Sequence, residues 1–504
     1  MISLQQLQQQ RQPLQQRHQP EQPLSEEVVV MWFRRDLRVH DNPALWHACQ
    51  QGKPVVGLFI DTETQWRRHD LGDGRIQRTR HAVAELQQQL QPLSIPLLCI
   101  EASDYHDTLT VLQSLSDALT ISRLCFNIEY EVNERRRDIT VCRWASQNAI
   151  AVERFHDQCL IPPGAVLTRT GTPFRVYSPF KKAWLAQIQD YTADPLPKPA
   201  AQTPAASHEW LSQLSPLTPP SGDEQCSESY WHQRLNDFLQ QHGELYKAQR
   251  DYPGKDATSG LSIALADGLL SPRQCMMAAY HANQGHFSGG QAGLDSWVNE
   301  LMWREFYRHI TVAFPDVCKH RAFKPETERV AWRQPSLDSQ VNAEFDAWCQ
   351  GKTGYPIVDA AQRQLLTTGW MHNRLRMISA MFLTKHLLID WRLGEAFFNR
   401  HLLDADFSSN NGGWQWSAST GADGAPYFRI FNPVSQSQKF DPDGEFIARF
   451  VPELAALPAD SRHFPLPLER AQVGYPNAIV DHQQARARAL DAFGVLSAPA
   501  EATP

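Results

Sequence analysis

Five short apolar runs, at residues 28–33, 55–60, 95–100, 123–127 and 151–155, crowd the first third of the chain, and nothing comparable follows. They are continuous rather than alternating, the pattern of strands buried on both faces. Helix-length segments separate them, for example residues 78–91 and 133–147. Strands alternating with helices at this spacing predict a parallel, doubly wound, five-stranded sheet. Such sheets bind ligands beyond the carboxyl ends of their strands. No GxGxxG follows the first run, which argues against a standard dinucleotide site there.

The remainder reads differently. Between residues 194 and 229 seven prolines (195, 197, 199, 204, 216, 219 and 220) stand among Ala, Ser, Thr and Gln, the composition of a connector. Beyond Tyr230 the periodicity is helical, with candidates at 296–314, 342–351, 357–367 and 373–389. At 504 residues the chain exceeds the usual single-domain size. The expected plan is a Gln-rich disordered leader (1–25), an α/β domain (26–160), a linker (161–229) and an all-helical domain (230–490). The leader carries ten Gln in its first 22 residues and no apolar signal core.

Composition narrows the function classes. A net charge of −7 excludes a polycation, so a nucleic-acid partner would need a local basic face. Nine cysteines without a CxxC pair predict neither a zinc site nor a disulfide framework, and point to a reducing, cytoplasmic setting. No apolar run reaches the roughly 18 residues that span a bilayer. Fifteen Trp exceed what packing asks for.

Four stretches of the helical half carry chemistry. Arg374 and Arg376 lie two residues apart and so on different helix faces. One could reach phosphate while the other pairs with an acid such as Asp404 or Asp406; both could equally be ordinary surface arginines. Asn410-Asn411-Gly412-Gly413-Trp414-Gln415-Trp416 reads as a turn, either core-facing or at a cofactor edge. Thr258-Ser259-Gly260-Leu261-Ser262 precedes a helix and suits either a phosphate or a plain cap. Cys318-Lys319-His320-Arg321, with Lys324, is a basic patch or simply solvated surface.

From about residue 28 to 485 the chain resembles the photolyase/cryptochrome family, and most of all bacterial class I cyclobutane dimer photolyases of the folate-antenna type. The resemblance rests on Trp32-Phe33-Arg34-Arg35-Asp36-Leu37-Arg38 with Asp41-Asn42, Trp303-Arg304-Glu305-Phe306-Tyr307-Arg308, Gly354-Tyr355-Pro356-Ile357-Val358-Asp359-Ala360, the string from Trp370 to Met377, and that from Asn410 to Trp416. It implies a folded-over FAD in the helical domain. Tyr246, Thr258, Ser259, Gly260, Leu261 and Ser262 would hold its phosphates and ribityl chain, with Arg376, Asp404 and Asp406 around the isoalloxazine and Asn410 facing N5. Arg376 and Asn410 would supply the cation and the hydrogen-bond donor that a reduced anionic flavin needs.

The same resemblance assigns Trp303 and Trp416 to the walls gripping a flipped-out dimer, since a lesion must leave the stack to be acted upon. Glu300, Asn373 and Met377 would touch its thymine edges, and Arg374, Arg429 and Gln436 the flanking DNA backbone. The implied chemistry is light-driven electron transfer from FADH⁻ to the dimer and back, with no nucleophile, metal or acid–base triad. Trp332, Trp391 and Trp414 would form the indole chain that reduces the flavin. The implied antenna is 5,10-methenyltetrahydrofolate, held by Asn133 and Glu134 with His69, Cys318 and Lys319. The implied partner is DNA containing pyrimidine dimers, met by a monomer.

Three positions depart from the family pattern: Gly260 stands where Arg is usual, His386 replaces an acid near the antenna, and Gln362 replaces Met. The competing reading is a cryptochrome photoreceptor. Those proteins usually carry Asp or Cys at the position of Asn410 and often a long tail. A (6-4) photolyase would bring a His pair near the lesion, where this chain has Asn373 to Met377.

Overall fold

The computed structural model describes residues 4–9, 26–205, 210–211, 214, 216–217 and 224–497. The chain forms two compact units whose segments interleave along the sequence. One takes residues 1–166, 183–241 and 259–290; the other takes 167–182, 242–258 and 291–504. The described elements used below are, in chain order, α1 (Leu4–Gln9), β1 (Glu27–Phe33), β2 (Val55–Asp61), α2 (Asp73–Leu90), β3 (Leu97–Glu101), α3 (Asp107–Ala118), β4 (Thr120–Asn127), α4 (Val132–Gln147) and β5 (Ala151–Phe155). They are followed by α5 (Tyr177–Gln187), α6 (Glu228–Gln241), α7 (Ser262–Asp267), α8 (Pro272–Ala282), α9 (Ala292–Ala313), α10 (Pro356–Thr368), α11 (Asn373–Met381), α12 (Trp391–His401), α13 (Phe407–Ala418), α14 (Pro433–Phe440) and α15 (His482–Gly494).

The first unit holds the expected five-stranded parallel sheet, in the order β3-β2-β1-β4-β5. The chain steps outward from β1 to β3, then returns to lay β4 on the other side of β1. The switch point is therefore the gap between the carboxyl ends of β1 and β4, where such sheets open a crevice. The apolar core is lined by Val28, Val30, Trp32, Val56, Leu58, Leu98, Ile100, Leu124 and Phe126.

Two expectations about boundaries change. Residues 4–9, placed in the disordered leader, form helix α1, which packs on α3 and buries Leu7 in the sheet unit's core; the rest of that leader lies outside the described residues. The helical half does not begin a unit at 230, because α6, α7 and α8 belong with the sheet. Ion pairs and hydrogen bonds tie them there: Asp267 on α7 takes both Arg75 and Arg78 of α2, and Glu228 on α6 accepts the amides of Val39 and His40 at 3.0 and 3.1 Å. The stretch expected as linker also contains a helix, α5.

The second unit is helical. Helix α13 packs on α9, α11 and α12. The expected helix at 373–389 is instead α11, a π-helical turn at Phe382–His386, and a break at Leu388, whose φ is +52°. Residues 410–416, expected as a turn, are the interior of α13. Gly412 explains why: a Cβ there would stand 2.2 Å from the Tyr307 ring of α9, so glycine serves close helix contact and not a bend.

Candidate functional site

At the switch point of the sheet lies a lattice of buried charge. After β1, Arg34 sits with its guanidinium 4.7 Å from the Trp32 ring and 4.6 Å from that of Phe126, and bonds Asp138 of α4 at 2.8 Å. Arg137 bridges Asp138 and Glu129 at 2.8 and 2.7 Å, while Arg35 reaches Glu131 at 3.1 Å and Glu129 at 3.4 Å. Burial alone would raise the Glu129 carboxyl, but Arg137, Arg34 and Arg35 hold it at about 2. Cation–π stacking and paired charge make this burial tolerable.

Three of the antenna candidates meet at the edge of this lattice. His69 Nε2 lies 3.0 Å from Asn133 Nδ2, and its Nδ1 lies 3.6 Å from Glu134. Tyr105, which the sequence did not single out, donates to Glu134 at 2.8 Å. Burial raises the Glu134 pKa; Arg35 opposes this and Glu129 adds to it. Cys318 and Lys319 belong to the helical unit, where Lys319 pairs with Asp316 at 2.7 Å. His386 lies in the same unit and bonds His482 at 2.8 Å, while Gln362 donates to Ser379 at 2.9 Å.

The flavin candidates divide in the same way. Ser259, Gly260, Leu261 and Ser262 fall in the sheet unit, and Tyr246 and Thr258 in the helical one. Gly260 has φ +68°, the left-handed region where glycine sits without strain, and no atom lies within 4 Å of where its Cβ would be. The departure from Arg therefore relieves a backbone penalty at the loss of one long side chain.

In the helical unit Arg376 of α11 donates to Asp404 Oδ2 at 2.8 Å, the interior pair that the sequence offered as one of two readings. Asp404 Oδ1 is buried with no partner in the protein. A buried carboxylate oxygen left unpaired is costly, so it calls for a donor, and the N–H edge of an isoalloxazine supplies one. Asn410, on α13, spends both amide hydrogens inside the unit, on Glu395 O at 3.1 Å and Asn399 Oδ1 at 2.9 Å. Its remaining atom, Oδ1, is an acceptor; this corrects the expectation that Asn410 acts as a donor. An acceptor suits the N5–H of a reduced flavin. The donor set thus fits FAD. Asp406 is otherwise employed: it caps α13 through Ser409 N and takes Arg308 at 2.9 Å.

The lesion candidates sit on α9, α11 and α13. Trp303 stacks on Tyr177 of α5 at 3.6 Å between centroids and 10° between planes, so one face of the indole is already supported. Tyr177 also donates to Asn299 Oδ1 at 2.8 Å. Arg250 pairs with Glu300. Asn373 is exposed, and Met377 and Trp416 are half-buried. Arg374, expected at phosphate, pairs with Asp251 at 2.8 Å and lies over the Phe440 ring. These two residues help line a pocket of about 360 Å³ with Tyr252, Phe431, Gln436 and Lys439. Arg429 is exposed. Tyr177, Arg250, Asp251 and Arg308 carry no assignment from local motifs; only packing reveals them.

Of the three indoles, Trp391 and Trp414 are fully buried and Trp332 is half-buried. Trp332 meets Phe493 of α15 edge-on at 5.7 Å. The Nε1 atoms of Trp391 and Trp414 have no hydrogen-bond partner, and the Arg392 guanidinium lies over the Trp391 ring at 4.7 Å.

Comparison with known proteins agrees with this layout. Residues 29–201 match the family model of DNA photolyase, and residues 297–495 that of the FAD binding domain of DNA photolyase. The chain is 42% identical over 473 residues to a deoxyribodipyrimidine photo-lyase of Salmonella typhimurium, covering 92% of this chain and 98% of that one. A class III photolyase structure from Agrobacterium tumefaciens superposes with a TM-score of 0.80 at 33% identity, covering 95% and 99% of the two chains. A Synechocystis cryptochrome structure superposes at 0.81 with 26% identity, covering 93% and 100%. A sheet unit and a helical unit matched in the same order, over nearly the whole of both chains, mean that the chain belongs to the DNA photolyase family.

Proposed function

We propose that the protein is a light-driven enzyme that reverts cyclobutane pyrimidine dimers in DNA, acting as a monomer in the cytoplasm. The observation that carries this is the 42% identity, across almost the full length of both chains, to relatives named for that activity in Salmonella typhimurium and Escherichia coli. When bound, reduced FAD supplies the electron that light sends to the lesion.

The chain's own residues do the rest. The Arg376 guanidinium offers fixed positive charge beside the flavin, and Asp404, paired with it, keeps that charge in place. Asn410 Oδ1 would accept an N–H of a bound flavin. Trp303, braced by Tyr177, and Trp416 stack on the extruded bases; each such contact is worth about 1–3 kcal/mol. Glu300, Asn373 and Met377 meet the thymine edges. Arg374, Arg429 and Gln436 hold the flanking backbone, with Arg374 exchanging Asp251 for phosphate. Trp414, Trp391 and Trp332 would form the relay through which an external reductant could reach a bound flavin. His69, Asn133 and Glu134 would hold 5,10-methenyltetrahydrofolate, whose pterin N–H edge suits the Glu134 carboxylate.

The test is repair of a thymine-dimer oligonucleotide by the reduced protein in blue light and in darkness. Restoration of thymines in light alone is expected. Bound, photoreducible flavin without repair would move the chain to the photoreceptor reading.

A further inference from the structure

We propose that His40, Glu228 and His232 form a Zn²⁺ site in the sheet unit. The three residues offer ligand atoms within 4.8 Å of one another. The Glu228 Oε1 atom lies 2.7 Å from His40 Nδ1 and 3.9 Å from His232 Nε2. Zinc bonds of about 2.0–2.2 Å in a tetrahedron set ligand atoms about 3.4 Å apart, and the two distances bracket that value.

The ligands are held from outside the cluster. Glu228 is fixed by the amides of Val39 and His40, and His232 follows it by four residues on α6, hence on the same helix face. Hydrogen-bond logic also sets the His232 tautomer. Gln274 accepts the Ser271 amide through Oε1 in the capping box of α8, so its other end is an N–H donor. That end lies 2.9 Å from His232 Nε2, which must therefore be an unprotonated acceptor. A metal taking that lone pair would displace the Gln274 N–H from it. The neighbouring Arg38 charge is taken up by Asp157.

His40 now donates from Nδ1 to the carboxylate; turning that nitrogen into a ligand moves its proton to Nε2. The His40 side chain is 45% exposed, so water can receive that N–H. The same exposure gives the metal an entry path and leaves a fourth position for water. Two imidazoles and a carboxylate suit zinc, whereas magnesium and calcium prefer oxygen alone. No sequence motif announces the site, because His40 and Glu228 stand 188 residues apart. Bound zinc would clamp the turn after β1 to α6.

The experiment uses the flavin-bound protein, treated with chelator, dialysed and titrated calorimetrically with Zn²⁺. One zinc per chain and a raised Tm are expected. His232→Ala and His40→Ala should each abolish the binding while flavin content and light-dependent repair stay at the parental level. Absence of saturable binding would overturn the proposal, as would unchanged stoichiometry in either variant, which would assign the zinc to cysteines. A preference for Fe²⁺ over Zn²⁺ would overturn the choice of metal.

Discussion

The two charged centres of the molecule are built on opposite principles. In the lattice at the sheet's switch point, every carboxylate of Glu129, Glu131 and Asp138 faces an arginine of the same unit. In the helical unit, Asp404 keeps one oxygen for Arg376 and leaves the other buried and unpaired. In the first centre every carboxylate is answered within the protein, and only Arg34 Nε and Nη2 are left without a hydrogen bond; the second leaves a carboxylate oxygen for something else to bind. The difference separates residues that hold the fold from residues proposed to hold a cofactor, although both sets pair Arg with Asp or Glu.

The contrast is open to direct attack. Glu129→Gln should have the largest effect, about 3–5 kcal/mol of lost stability by urea unfolding, because it leaves buried Arg34 and Arg137, and half-buried Arg35, facing one carboxylate fewer. Flavin content of the folded fraction should not change. Asp404→Asn should do the reverse. It should cost less than about 2 kcal/mol, since its Arg376 partner is partly exposed, yet purified protein should lose most of its FAD absorbance. Equal losses of fold and flavin in both variants would break the distinction.

Gly412→Ala sharpens the same comparison from the side of packing. It forces a methyl into the Tyr307 ring and should destabilise by about 1–3 kcal/mol, with a lowered Tm. The last effect is one of pH, negligible at neutrality and growing only in acid. Burial, with His482 adding to it, lowers the His386 pKa to about 3. The unfolded chain takes up that proton below about 6.5 while the folded protein does not. Stability is therefore full above pH 6.5 and falls towards pH 3, by up to about 1.4 kcal/mol per pH unit. His386→Asn should flatten that part of the stability–pH curve.

How much of this was legible in the sequence follows from how local each signal is. The strands were plain because a strand buried on both faces writes itself as an unbroken apolar run, and all five were found within a few residues of their ends. Residues 410–416 misled, because Asn and Gly favour turns locally, while contact with Tyr307 on α9 rewards the missing side chain inside a helix. The assignment of α6 to α8 to the sheet unit depends on Glu228 and Asp267 meeting partners far away in sequence, which no window can show. The pairing of Arg376 with Asp404 was readable as one of two options. The partners of Trp303 and Glu300 were not, since Tyr177 and Arg250 carry no motif of their own.

One further glycine has a reach beyond packing. Gly394 lies three residues after Trp391 on α12, and a Cβ there would fall 2.1 Å from the Trp414 ring. A residue with no redox chemistry thus sets how closely α12 can approach the Trp414 indole. Tunnelling slows exponentially with distance, so along the proposed indole chain a methyl at 394 that displaced the Trp414 ring would change the tempo of the hop with every carrier left in place.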